Sequence, residues 1–478
     1  MSESIQGEPK AEASPGFDLL RIRPIRAMVL SPIFPYVVQI AILGLFIGLA
    51  VIGWGLFAPE GVQSKQFAKT NIVNLVIWAI WWPGMVWAVV FFGRVWCAVC
   101  PLELVANVTE RLGRRLGVRQ RTLGRWLASG FLILAFYALI QMLVAGVELH
   151  RVPAYTSIFL WSLLALAAVV GLLYKDRAFC RGFCPVGLLL ATFGRGSVLA
   201  VRPKQGQTCR DCPGRDCVQA RNRTRMDGRS CPSLLNPAKL SSNSDCLVCG
   251  QCIKICPPSN MTLYLRRPFH PDDTRDSLAS WPVTLFVMLI SGFVTYELFS
   301  EWKAAQAAFL WVPHAAAELS GLASFEGWIK GIWTLFVVPV VVWCVLGGLV
   351  LVLGGAATLA EAWRRLALPL AIVIVASQMA KAVAKFVSWG GYLPWALREP
   401  TGTETAMAIT SGALDKPASL LSLTVVSVIS LILLATMAYF GLRESRLADP
   451  STHRSRVPSL LLATIAAGFL IFGWGFLQ

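Results

Sequence analysis

The feature that most limits what this chain can fold into is a set of apolar runs, each long enough to cross a bilayer. A helix needs about 20 predominantly apolar residues to span a hydrocarbon core. Runs of that kind fall near 29–57, 71–93, 127–147, 156–174, 281–300, 329–357, 367–389, 418–441 and 458–477. They predict a membrane all-α protein of about nine transmembrane helices, each end open by a few residues. Composition agrees, with 56% hydrophobic and 14% charged residues, against about 25% charged in a soluble domain.

The polar stretch 1–27 ends in Arg21, Arg23 and Arg26 and reads as a cytoplasmic tail. A cleaved signal peptide does not fit, because the following apolar run is too long for an h-region and no small-residue cleavage site closes it. With the N-terminus inside, 34 of the 43 basic residues fall on the cytoplasmic side and nine on the other. Without the 17 in the long polar insert the balance is still 17 to 9, which fixes the orientation by the positive-inside rule. The net charge of +17 is then topogenic, and no nucleic-acid partner is called for. The expected organisation is a tail (1–27), a four-helix membrane domain (28–174), a cytoplasmic insert (175–280) and a five-helix membrane domain (281–478). The expected location is the inner membrane of a bacterium.

Twelve of the thirteen cysteines lie between Cys97 and Cys256; Cys344 stands alone in an apolar run and is expected to pack there. A cytoplasmic insert sits in a reducing compartment, so its spaced cysteines point to metal chemistry rather than disulfides. Cys246, Cys249, Cys252 and Cys256, followed by Pro257, reproduce the C-x2-C-x2-C-x3-C-P run of two-cluster ferredoxins, in which the fourth cysteine serves the other cluster. Cys209, Cys212, Cys217 and Cys231-Pro232 repeat this three-plus-one logic with wider spacing. Crossed ligation is expected, with Cys231 joining Cys246, Cys249 and Cys252 on one [4Fe-4S] cluster and Cys256 joining Cys209, Cys212 and Cys217 on the other. The insert then reads as a small α+β, ferredoxin-like domain. A pair of zinc sites is the competing reading of cysteines in fours.

Two further pairs, Cys97-Ala-Val-Cys100-Pro101 and Cys180-Arg-Gly-Phe-Cys184-Pro185, follow the second and fourth apolar runs. If those helix ends are neighbours, the four thiolates can hold a third [4Fe-4S] cluster at the membrane surface. The plainer alternative is reduced thiols in structural turns.

The stretches FFGRVWCAVCPLELV and FCRGFCPVGLL, followed by the ferredoxin run, resemble the polyferredoxin-type membrane electron-transfer family, which serves nitrate reduction, nitrous oxide reduction and oxidase assembly. The resemblance covers about residues 70–260 and departs from the family's C-x3-C-P at Cys97 and Cys100, which stand one residue closer. It implies electron transfer between the quinone pool or a cytoplasmic donor and an unidentified redox partner protein, as a quinol dehydrogenase or the electron-transfer subunit of an oxidoreductase. Two other classes fit the same cysteines: a metalloenzyme or oxidase biogenesis factor that reduces a metal or thiol, and a redox-sensing transporter. Covalent FMN is not expected, because Ser411-Gly412-Ala413 is followed by Leu414, which has no hydroxyl to carry it.

His150, His270, His314 and His453 are expected in loops or at helix ends, which argues against bis-histidine haem. His150 with Glu148 reads as a solvated interfacial pair. Lys381 and Lys385, four apart and so on one helix face, read as snorkelling to the outer interface. Trp78, Trp81, Trp82 and Trp87 read as packing and interface anchors. The last five helices carry no cysteine motif and read as a docking or quinone-binding module.

The charge split makes a direct prediction. A single engineered cysteine near Ser242 should be labelled by a membrane-impermeant thiol reagent only from the cytoplasmic side. Labelling from the outer side alone would reverse the topology and bring disulfides back into question.

Overall fold

The structure, a computed structural model, describes residues 16–477. Each of the nine apolar runs contains an apolar helix, and among the described residues seven helices are long and apolar enough to cross a membrane. The two others are α1 (Tyr36–Ile52) and, later, Phe131–Gly146, with 17 and 16 residues. At 1.5 Å per residue they reach only about 25 Å, short of a 30 Å hydrocarbon core. The chain is a multi-pass membrane protein with seven helices of spanning length.

After α1 come α2 (Ile72–Phe92), α3 (Pro101–Arg115), α4 (Phe131–Gly146) and α5 (Pro153–Leu173). The second set is α6 (Trp281–Phe299), α7 (Lys303–Leu319), α8 (Ala323–Val352), α9 (Leu359–Arg398), α10 (Leu423–Ala448) and α11 (His453–Phe476). The alanine-rich α7 was not anticipated, and it places His314 inside a helix rather than in a loop. Cys344 is exposed on α8 instead of packed; on a helix with little polar surface a small apolar side chain can face lipid at no cost.

The bundle is organised around α9, whose apolar stretch is 83% buried. Ala367, Ala376 and Ala380 are fully buried on it, and such small side chains let neighbouring backbones approach closely, which is what holds helices together in lipid. Buried tryptophans satisfy their indoles: Trp343 Nε1 donates to Ser291 Oγ at 3.0 Å and Trp474 Nε1 to the Leu298 carbonyl at 2.8 Å. One apolar core takes in Met85 and Val86 of α2, Tyr137 of α4 and the inner faces of α6 and α8–α11. The helices before and after the insert are therefore packed together.

The polar insert is built on a three-stranded antiparallel sheet in the order β1-β3-β2. Strand β2 (Leu199–Pro203) pairs with β3 (Met261–Leu265) from Leu199↔Leu265 to Pro203↔Met261. On the free edge of β3 lies β1 (Phe17–Asp18), from the segment read as a tail. A short helix (Arg23–Leu30) follows and buries Val29 beside Val201, Cys246 and Ile253. Lys254 Nζ donates to the Ser31 carbonyl at 2.7 Å. The described part of the segment thus completes the insert; residues 1–15 lie outside the described residues.

Insert and bundle are clamped at Glu444, on α10. Arg275 Nε meets Glu444 Oε2 at 2.6 Å, and Arg195 Nη2 lies 3.7 Å from Oε1. Removing one member of a buried ion pair costs about 3–5 kcal/mol, because the other charge is left uncompensated. Glu444→Ala should therefore lower the thermal unfolding midpoint of detergent-purified protein by several degrees. Asp227→Ala, in the exposed pair with Arg225, should leave that midpoint nearly unchanged.

Candidate iron-sulfur sites and a membrane cavity

The first cysteine pair sits where α2 ends. Gly93 closes α2 with φ +70°, and a Cβ there would meet Ser197 Oγ at 2.8 Å, so the turn is open to glycine. Cys97 follows on a short helical turn, and Cys100 caps α3, with Pro101 in the first helical position. The second pair leaves α5 in the same manner: Cys180 lies in a wide helical turn (Phe179–Phe183), and Cys184 ends it before Pro185. The four thiols come together. Cys97, Cys180 and Cys184 all act electrostatically on Cys100, and the four line one cavity wall.

Burial is the first cause that pushes the Cys100 thiol far up and the Cys184 thiol to about 12, and the neighbouring sulfurs add to it. Burial also raises Cys180, against the pull of Arg177. Four buried thiols that disfavour one another's ionisation are stable as thiolates only around compensating positive charge, which metal ions supply. An all-sulfur donor set without carboxylate or imidazole fits an iron-sulfur cluster.

In the insert, Cys231 stands with Cys246, Cys249 and Cys252 around a small cavity. Gly250, at φ +70° and with Val29 only 3.0 Å from where a Cβ would be, lets the chain turn between Cys249 and Cys252. Cys209, Cys212 and Cys256 act on Cys217, whose thiol burial lifts to about 11. Asn260 ties the last group: its side-chain Nδ2 reaches Cys209 Sγ at 3.2 Å and its backbone N reaches Cys256 Sγ at 3.3 Å. Cys231 therefore lies with the Cys246 run and Cys256 with the Cys209 run. Among the described residues no three Cys, His, Asp or Glu side chains converge on a point that would hold a single metal ion. A cubane gives each thiolate its own iron, so its ligands surround a volume rather than meet at a point.

The three groups form a series. Cys231 N donates to the Cys217 carbonyl at 2.8 Å, joining the two insert groups. Between the insert and the membrane-face group lies Glu103, which is 2% exposed and three residues beyond Cys100. Arg229 Nη2 approaches Glu103 Oε1 at 2.7 Å, Arg177 Nε lies 3.3 Å from the same oxygen, and Gln39 Nε2 donates to Oε2 at 2.8 Å. Burial pushes the Glu103 carboxyl up, but Arg229 and Arg177 outweigh it and hold it below the ordinary range. Arg177 Nη2 is also 3.4 Å from Cys180 Sγ, and the guanidinium feels Cys180, Cys97 and Cys249. It stands between two candidate clusters.

The membrane-face cysteines open onto a cavity of about 620 Å³. Its middle is aromatic, with Trp78, Trp81 and Trp96 in the wall; Trp81 and Trp96 stand edge to face with ring centres 5.4 Å apart. At the far end Lys381 turns inward rather than snorkelling. Its Nζ contacts Glu301 Oε1 at 2.6 Å and Ser300 Oγ at 2.8 Å, and Glu297 Oε2 at 3.4 Å. Lys385 lies over the Trp389 ring at 5.0 Å. His150 is not a solvated partner of Glu148. It lines the cavity beside Trp78, and Glu148 pairs with Arg151 at 2.5 Å. Sequence patterns missed Glu103, Arg177, Arg229 and the cavity. The one available signal was a charged residue within three positions of a cysteine in each motif.

Known proteins match this part of the chain. The family described as a 4Fe-4S binding domain matches residues 74–119 and 157–206, which takes in both membrane-face pairs and stops short of Cys209. Ferredoxin-type protein NapH of Haemophilus influenzae is 29% identical over 172 residues, 33% of this chain and 57% of that protein. Protein NirI of Paracoccus denitrificans is 27% identical over 233 residues, 43% of this chain and 32% of that one. Methylamine utilization ferredoxin-type protein MauN of Methylorubrum extorquens is 27% identical over 122 residues, 24% of this chain and 42% of its own. The chain thus spans between about a third and three fifths of these relatives. No solved structure matches it. Residues 74–119 and 157–206 thus match a 4Fe-4S binding domain, and the chain is similar to ferredoxin-type proteins, as its motifs suggested.

Arg177 generates a prediction. A cluster gains negative charge on reduction, so a cation and hydrogen-bond donor beside it favours the reduced state. Arg177→Gln should move one cluster potential to more negative values, by about 60 mV for each 1.4 kcal/mol of lost interaction, read by redox titration followed by EPR. Iron content should stay unchanged.

Proposed function

We propose that this protein is a membrane iron-sulfur relay that passes electrons one at a time between a quinol held among its helices and a redox partner docked on the insert. In this reading Cys97, Cys100, Cys180 and Cys184 hold one [4Fe-4S] cluster. Cys231, Cys246, Cys249 and Cys252 hold the second, and Cys209, Cys212, Cys217 and Cys256 the third. Each cluster supplies a site that takes up and gives back one electron, with a potential set by burial and by hydrogen bonds to sulfur. Insert and N-terminus face the cytoplasm, in keeping with the basic residues on that side.

The observation that carries the reading is the cavity. It has the membrane-face cysteines in one wall, a mostly apolar, tryptophan-lined body within the helices, and charged side chains at its other end. A lipophilic redox carrier needs such a place: apolar walls for its ring, a few polar groups to orient it, and an electron acceptor at the edge. The Glu103–Arg177–Arg229 node then holds the membrane-face group against the insert, so that electrons cross within one rigid unit. A cluster-bearing domain merely tethered to a bilayer would need no such cavity.

Protein purified without oxygen should contain about twelve irons, four for each cluster. Cys97→Ala and Cys180→Ala should each leave about eight and should lose reduction by quinol, while an artificial donor still reduces the remaining clusters. Unequal iron losses would show that the two pairs do not share one site. Zinc in place of iron would end the redox reading.

A further inference from the structure

Three polar side chains in the cavity wall carry unpartnered atoms. Gln378 on α9 is 6% exposed, and neither its Oε1 nor its Nε2 is hydrogen bonded. Gln141 on α4, 5% exposed, has an unpartnered Oε1, and Thr334 on α8, also 5% exposed, has an unpartnered Oγ1. All three line the cavity. Buried amides and hydroxyls are nearly always paired, and in the low dielectric of a membrane interior an unpaired one is costly. Three such groups from three helices, facing one cavity, mark the place of a ligand with its own hydrogen-bonding oxygens. A hydrocarbon tail would leave them as they are. The amide of Gln378 offers both a donor and an acceptor, so it can bind a ring oxygen as carbonyl or as hydroxyl.

His150 lines the same cavity beyond them, and its Nδ1 is buried without a partner. Its ring stands edge to face on Trp78 at 6.3 Å. The charged groups facing it are Lys385 of α9, Lys330 of α8, and Arg151, which is paired with Glu148. Burial first, and then these three cations, hold the imidazole well below its ordinary range. It is thus neutral at neutral pH, and a proton that its unpartnered Nδ1 accepts is given up readily.

We propose that Gln378, Gln141 and Thr334 form the head-group site of the cavity, binding the ring oxygens of a quinol, and that His150 Nδ1 carries its protons to the face away from the insert. This rests on the quinol reading above and adds to it the binding residues and the direction of the protons. Oxidation breaks two O–H bonds and yields the quinone, two protons and two electrons. A cluster held by Cys97, Cys100, Cys180 and Cys184 would supply the one-electron acceptor for the two electrons in turn, and the protons pass one at a time through His150. Electrons and protons leave by opposite ends, so turnover moves charge across the membrane. Lys381, held by Glu297 and Glu301, keeps the far end of the cavity polar.

Two measurements on the full-length protein test the assignment. Binding of decylubiquinone is read by quenching of tryptophan fluorescence, which requires no cluster. Reduction by decylubiquinol is read by bleaching of iron-sulfur absorption, with dithionite as the control donor. Gln378→Leu and Thr334→Val should each weaken decylubiquinone binding by about three- to tenfold, the loss of one hydrogen bond. His150→Gln should bind decylubiquinone as the native protein does but slow the quinol-driven bleaching by about a hundredfold, the usual effect of losing a proton acceptor. Dithionite should bleach all of them equally. In proteoliposomes the native protein should release protons on the side opposite the insert. Native binding by Gln378→Leu and Thr334→Val would overturn the head-group site and leave the quinol reading intact. Unchanged kinetics in His150→Gln, or protons released on the insert side, would overturn the proton route. Absence of any quenching in the native protein would show that the cavity holds only water, and the quinol reading would fall with the inference.

Discussion

A single buried carboxylate, Glu103, holds together the parts of this protein that must touch. Two arginines and a glutamine converge on it, and each comes from a different part of the chain: Gln39 from α1, Arg177 from the approach to the second cysteine pair, and Arg229 from the insert just before Cys231. A charge this deeply buried is tolerated only when it is paired and hydrogen bonded. Removing it would leave two guanidinium groups uncompensated, which is the costly way to break a buried ion pair. Such a node specifies geometry more than it adds stability. It sets the membrane-face cysteines and the insert cysteines in one fixed relation, the condition for electrons to pass between them.

The same placement gives Arg177 a second consequence. Its guanidinium is close to Cys180 and is felt by Cys249 as well, so one cation faces both cysteine groups. Helix α9 makes the corresponding arrangement inside the membrane. Its alanine-rich faces let α6 and α10 pack tightly, and its middle turns Gln378, Lys381 and Lys385 toward a cavity that ends at the cysteines. The helices after the insert thus form the wall facing the membrane-face cysteines, although they contain no cysteine motif of their own. A separate C-terminal module would have left that cavity with one side.

Much of the candidate site was legible beforehand. The three-plus-one spacing predicted which cysteine would cross from each run to the other group, because a proline after the fourth cysteine redirects the chain. In the structure Cys231 lies beside the Cys246 run and Cys256 beside the Cys209 run. The membrane-face pairs were legible as pairs only. Whether two short motifs 80 residues apart meet depends on α3 and α5 packing side by side, and nothing local to either motif encodes that. The lysines of α9 were misread for a related reason. Helical spacing showed that Lys381 and Lys385 share a face, and snorkelling to water was the cheapest way to place them; the carboxylates of Glu297 and Glu301 that make an inward position favourable come from another helix.

The sequence by itself determined the membrane class and the approximate position of the apolar helices, and it set the expectations for the sidedness of the basic residues and for the sulfur donors. Each of these follows from composition or spacing within about 20 residues, over which helix periodicity, positive-inside bias and thiolate spacing act. Only the tertiary structure decided that the N-terminal segment completes the insert's sheet, that the two helix sets share one core, and that Glu103 links three distant segments. It alone placed the unpartnered amide of Gln378 and the Oε1 of Gln141 on the wall of one cavity. Those features depend on side chains brought together across hundreds of residues. Burial gives such contacts their energy, and burial is a property of the packed chain rather than of any one stretch of it.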